Sequence, residues 1–176
     1  ARRDLSRRGK AVDTWSTICR KHMMLELHVT VEKLAGPSTL NLAGSSMGTN
    51  YSAALAEFLC TEDISHVSTI DLSDNRMDQS MTAAACGAMG DRVEVLVLDK
   101  NKVGKRGVEA LSRLVGRAPL TSLGINACNI DDSALESLLN AVACSATCAD
   151  RLQHLGLNNN GMTHTSARAL ACFLGR

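Results

Sequence analysis

Gly44-Ser45-Ser46-Met47-Gly48 has the spacing of a nucleophile elbow. In that turn a serine between glycines is lifted off a strand end toward a later carboxylate and histidine, and the chemistry would be acyl transfer. The five histidines (His22, His28, His66, His154 and His164) fall at unrelated positions and offer no convergent site. Cys144 and Cys148 stand four apart, a spacing that shares one helix face, but a zinc site needs further ligands. No C-x-x-C or H-x-x-x-H pair supplies them. The seven cysteines (Cys19, Cys60, Cys86, Cys128, Cys144, Cys148 and Cys172) are odd in number and scattered. That is the pattern of reduced thiols used as small hydrophobes, and it favours an intracellular compartment over a disulfide framework. Asn50-Tyr51-Ser52 is a formal glycosylation sequon in a chain with no visible export signal, and no G-x-x-x-x-G-K-[ST] phosphate loop occurs. The expectation is therefore no catalytic, metal-binding or cofactor-binding residue.

The 176 residues carry 19 Lys+Arg against 18 Asp+Glu, and this balance makes no case for nucleic acid or a membrane surface as partner. Hydrophobic residues make up 45% and aromatics 2%, so the chain is ordered and its core must come from Leu, Val, Ala, Met and Cys. No apolar stretch approaches the ~18 residues of a membrane span. Residues 1–33 hold 8 basic and 4 acidic residues, including Arg2, Arg3, Arg7, Arg8 and Lys10, which read as a solvated, frayed start. Val12 to His22 then reads as an amphipathic helix with Trp15, Ile18 and Cys19 on one side. A second short element is expected over His28 to Leu34.

The elements that would position any site emerge from an internal repeat. Five segments share one pattern: Pro37-Ser-Thr-Leu40-Asn-Leu42, Val67-Ser-Thr-Ile70-Asp-Leu72, Val93-Glu-Val-Leu96-Val-Leu98, Leu120-Thr-Ser-Leu123-Gly-Ile125 and Leu152-Gln-His-Leu155-Gly-Leu157. Three residues after each comes Ser45, Asn75, Asn101, Cys128 or Asn160, at intervals of 30, 26, 27 and 32. Two further on stands Met47, Met77, Val103, Ile130 or Met162. Alternation places Leu40 with Leu42, Ile70 with Leu72 and Leu96 with Leu98 on one face of short strands. An Asn side chain has donors and an acceptor to satisfy the backbone of the turn that follows, so the five slots should form a ladder. After the slot the spacing becomes helical, as in Val103, Gly107, Leu111 and Leu114, with Glu109, Arg113 and Glu136 outside. The register takes Ser45 for the ladder and Met47 for the core, which removes the context a nucleophile needs.

The pattern is L-x-x-L-x-L-x-x-N/C-x-L, and the chain resembles leucine-rich repeat proteins over residues 37–176. Repeats of about 29 residues with a full helix are similar to the ribonuclease-inhibitor class. The resemblance implies an α/β solenoid: a right-handed β-α superhelix curved as a horseshoe arc, with parallel strands on the concave face and helices on the convex face. The implied organisation is a basic extension and helical cap over 1–36, then repeats at about 37–66, 67–92, 93–119, 120–151 and 152–176. The chain begins at Ala1 and stops where another strand would follow, so a longer protein is expected.

By register the concave face shows Thr39, Asn41, Ala43, Thr69, Asp71, Ser73, Val95, Val97, Asp99, Ser122, Gly124, Asn126, His154, Gly156 and Asn158. Arg76, Lys100 and Lys102 lie in the adjoining loops, with Lys105 and Arg106 close behind. The candidate partner-binding residues are Asp71, Ser73, Arg76, Val97, Asp99, Lys100, Lys102, Asn126, His154 and Asn158. Trp15-Ser16-Thr17-Ile18-Cys19 and Leu40-Asn41-Leu42-Ala43-Gly44-Ser45-Ser46-Met47-Gly48 are similar to the opening of ciliary and flagellar leucine-rich repeat proteins, with Trp15 where tyrosine is more usual. That resemblance implies a non-enzymatic protein-binding scaffold in the cytoplasm, a subunit of a large cytoskeletal, ciliary or axonemal assembly. The alternative is a GTPase activator resembling the Ran-directed family, with Arg76 in the loop that would touch the GTPase. That family's enzyme is longer and has an acidic tail not found here.

Overall fold

The computed structural model describes residues 2–23, 38–45, 49–61 and 67–175. Helix α1 (Arg2–Lys21) comes first. Strands and helices then alternate: β1 (Thr39–Asn41), α2 (Thr49–Thr61), β2 (Thr69–Asp71), α3 (Gln79–Ala88), β3 (Val95–Val97), α4 (Gly104–Val115), β4 (Ser122–Gly124), α5 (Asp132–Cys144), β5 (His154–Gly156) and α6 (His164–Leu174). The five strands form one parallel sheet in chain order. Parallel neighbours need a long crossover, and the helix after each strand provides it. The chain is an α/β protein of successive β-α units.

Register follows the repeat spacing: Leu40, Ile70, Leu96, Leu123 and Leu155 are paired partners across the sheet. The first four are buried with their second-row companions Leu42, Leu72, Leu98 and Ile125, whereas Leu155 and Leu157 are half-buried. Each fully buried Leu or Ile stabilises the fold by about 1.5–3 kcal/mol. The helical stripes close over this spine. Tyr51, Leu55 and Phe58, Met81 and Ala85, Leu111 and Leu114, and Ala134 and Leu138 are buried. In α6 the same positions give a buried Ser166 and half-buried Leu170 and Phe173.

α1 starts at Arg2, ten residues before the expected Val12, and takes in the basic segment. Arg, Leu, Ala and Lys are good helix formers and dominate the run, with Gly9 its weakest residue. Its anchor is Trp15, fully buried and set edge-on to Phe58 (centroids 5.6 Å, 83°) and tilted against Tyr51 (5.4 Å). Lys21 and His22 clasp Glu57 of α2 at 2.8 and 2.9 Å, and these hydrogen bonds hold the Glu57 carboxyl below its ordinary range. The element expected over His28 to Leu34 lies outside the described residues.

Neighbouring units also close one another's helix ends. Asp78 and Asp131 cap their own helices α3 and α5 by accepting from Met81 N and Ala134 N. α4 has no side-chain cap of its own; Gln79 of α3 accepts from Arg106 N at 3.2 Å instead. Asp132, at the start of α5, accepts from Thr163 N (2.8 Å) and Thr163 Oγ1 (2.6 Å) and from Ser166 Oγ at the start of α6. At the other ends, Arg117 donates to Cys86 O (3.0 Å) and Met89 O (2.9 Å) at the finish of α3, and Ser145 Oγ donates to Val115 O of α4 (2.8 Å). A cation there also meets the negative end of the helix dipole.

Candidate functional site

The slot residues hold the loops that border the strand face. Asn75 Nδ2 donates to Leu42 O (2.9 Å) and Leu72 O (2.8 Å). Asn101 Nδ2 donates to Leu72 O (2.9 Å) and Leu98 O (2.8 Å), while its Oδ1 accepts from Asn75 N (3.2 Å) and Met77 N (3.0 Å) of the preceding unit. Asn160 repeats the arrangement on Ile125 O, Leu157 O, Cys128 N and Ile130 N. At Cys128 a thiol takes the slot and donates to Leu98 O (3.2 Å); burial pushes it up to about 11 despite the Asn101 N–H directed at it. Ser45, the residue before the central serine of the elbow motif, is half-buried, and its N–H reaches Leu42 O in the turn row. Met47, Ser46 and Gly48 lie outside the described residues. Asn75 Oδ1, buried, finds no partner among the described residues.

Across the sheet the outward residues stand in columns: Thr39, Thr69, Val95, Ser122 and His154, then Asn41, Asp71, Val97, Gly124 and Gly156. Asp71 and Val97 are thus direct neighbours, half-exposed, and His154 is exposed at the far edge. Asp71 Oδ1 accepts from Ser73 N (2.9 Å), fixing the carboxylate to its own turn. Asp99, Asn126 and Asn158 form a second polar row. Asp99 accepts from Asn126 N (2.8 Å) and Asn126 Nδ2 (2.9 Å), and Asn126 Oδ1 accepts from Asn158 N (2.8 Å). Glycine makes this possible, because a Cβ on Gly124 would stand 2.9 Å from Asp99 Oδ1 and one on Gly156 2.7 Å from Asn126 Nδ2. Asp99 and Asn126 therefore join units together, while Val97 is half-exposed on the strand face and His154 is exposed at its edge.

The loop residues Arg76, Lys100 and Lys102 are exposed. A regularity not readable from hydrophobic spacing sets them: the residue before each slot has left-handed backbone, with φ of 63° at Gly44, 55° at Asp74, 59° at Lys100, 53° at Ala127 and 56° at Asn159. Arg76 and Asn129, just after their slots, share it at 53° and 56°. Gly, Asp and Asn tolerate this region, which is the signal that would have found the row; Lys100, Ala127 and Arg76 carry strain there. Arg106, close behind these loops, donates to Ser80 Oγ at 3.3 Å.

The cysteines divide between core and surface. Cys19, Cys86, Cys128 and Cys148 are buried; Cys60, Cys144 and Cys172 are exposed. Burial pushes Cys86 up to about 12 and raises Cys148. Among the described residues no group of three His, Cys, Asp or Glu side chains is arranged to hold a metal ion, and no helix is long and apolar enough to cross a membrane. A groove of about 390 Å³ runs between α5 and α6, with Leu139, Ala169 and Phe173 along it and Glu136 and Arg168 among its polar residues. No protein-family model matches the chain, and no curated protein matches its sequence.

Proposed function

We propose that the chain is a leucine-rich repeat solenoid of the ribonuclease-inhibitor-like class, and that it works as a non-catalytic protein-binding scaffold within a large intracellular assembly of the cytoskeletal or axonemal kind. The observation that carries this reading is the pair of polar rows, Asn75–Asn101 and Asp99–Asn126–Asn158, which lock strands and loops so that Asp71, Val97 and His154 face outward at fixed spacing. A face already held rigid loses little entropy when it docks a partner. Lys100 and Lys102 are exposed amines beside that face, so they serve as reporters. In crosslinking mass spectrometry on native extract, both should join to peptides of one partner. Val97→Glu combined with Asp71→Arg should abolish those crosslinks while circular dichroism stays unchanged. Unchanged crosslinks in the double variant would remove the strand face from the binding surface.

Arg76 favours a second reading. Arg76 is exposed while its backbone is pinned between buried Asn75 and Met77, a mounting suited to an arginine that completes a GTPase site. A GTP hydrolysis assay with small GTPases decides it: acceleration by the chain, lost in Arg76→Ala, supports accessory catalysis, and no acceleration at saturating protein discards it.

A further inference from the structure

Asn160-Gly161 is the chain's single Asn-Gly pair. Glycine is the least hindered residue to follow an asparagine in ring closure, because no Cβ stands in the path of its amide nitrogen. We propose that Asn160 is a site of spontaneous deamidation, and that the reaction releases the fifth β-α unit in one direction only.

In the step, Gly161 N loses its proton and attacks Asn160 Cγ. The Cγ–Nδ2 bond breaks, ammonia departs carrying a proton, and a succinimide ring remains. Water then opens the ring at either carbonyl, giving aspartate or its β-linked isomer. Water is the one co-reactant, and no electrons change hands.

The fold sets where and when this happens. While the unit is docked, Asn160 Nδ2 donates to Ile125 O (2.9 Å), Leu157 O (2.9 Å) and Asn158 O (3.4 Å), and Oδ1 accepts from Cys128 N and Ile130 N. These bonds immobilise the carboxamide, so reaction proceeds through local opening. In this unit Leu155, Leu157, Met162, Leu170 and Phe173 are only partly buried, which leaves less buried apolar surface to oppose opening. Asn75 and Asn101 do the same structural work at 0% and 2% exposure and are followed by Arg76 and Lys102. After conversion the slot holds a carboxylate, which only accepts. The carbonyls of Ile125, Leu157 and Asn158 then face it with no donor between.

The structure also supplies a clean control. Gly161 lies outside the left-handed region, and a Cβ there would meet only Ile130 O at 3.6 Å, an ordinary contact. Gly161→Ala should therefore fold as the parent does. The whole chain is aged at mildly alkaline pH and mapped by peptide mass spectrometry. Conversion should accumulate at Asn160 ahead of Asn75 and Asn101, and Gly161→Ala should slow it at least about tenfold, equal to about 1.4 kcal/mol of barrier. Conversion at an equal rate in Gly161→Ala, or at Asn75 and Asn101 as fast as at Asn160, overturns the site. Hydrogen exchange on Asn160→Asp tests the release: amides of β5 and α6 should lose protection while α3 and α4 keep theirs. Full protection of β5 and α6 in that variant overturns the release.

Discussion

One carboxamide, that of Asn101, serves five backbone groups: Leu72 O, Leu98 O, Asp99 O, Asn75 N and Met77 N. Asn101 is 2% exposed, so water cannot replace those bonds if the side chain goes. Leaving a buried polar group unsatisfied costs about 1–3 kcal/mol, and several are stranded at once. Asn101→Ala should therefore lower stability by about 3 kcal/mol or more, read as a fall in the urea midpoint. At the neighbouring turn position the sign reverses. Ala127 is held at φ 53°, where an L side chain costs roughly 1–2 kcal/mol and glycine nothing, against about 0.5–1 kcal/mol of extra chain entropy lost by glycine. Ala127→Gly should raise thermal stability by up to about 1 kcal/mol; a lower melting temperature would mean that the alanine methyl has packing value.

Helix α6 is the element whose attachment depends most visibly on a single charge. Its first turn is joined to α5 through Asp132, whose carboxyl the hydroxyls of Ser166 and Thr163 hold down from the ordinary 3.8 to about 2. A depressed carboxyl stabilises the fold above its unfolded value, and the contribution fades as acid protonates it. The tether is therefore complete above about pH 4 and lost progressively toward about pH 2. Hydrogen exchange in α6 should show protection declining across that window ahead of α4, and Asp132→Asn should remove the acid step. The strands, the slots and the helical stripes are legible in the sequence because each is a repeated choice of residue type. The tethers are not: Gln79, Arg117, Asp132 and Ser145 recur at no common position, and each answers a local need at one helix end. The beginning of α1 at Arg2 is hidden in the sequence for a related reason, since charge at a chain start reads as solvated whether or not the backbone is helical.

At the scale of the whole molecule, the units share a spine, so damage to an interior unit, flanked on both sides, should spread. Leu98 is fully buried between its neighbours in the third unit, and its N–H bonds Gly124 O of the fourth. Leu98→Asp buries a carboxylate with no partner, at a cost of several kcal/mol, roughly 3 or more. Loss of helical signal well beyond one unit is the expected outcome, and a soluble, fully folded variant would refute the shared spine. The strand face was only partly legible. Its columns follow from alternation, but the sequence does not reveal that Asp99 and Asn126 lie flat over Gly124 and Gly156 and spend their polar atoms on the adjacent turn. Each slot carboxamide, moreover, reaches back to the backbone of the unit before it. During synthesis a unit leaving the ribosome thus stays unfinished until its successor emerges, which makes maturation vectorial and leaves the newest unit as the one exposed to proteases.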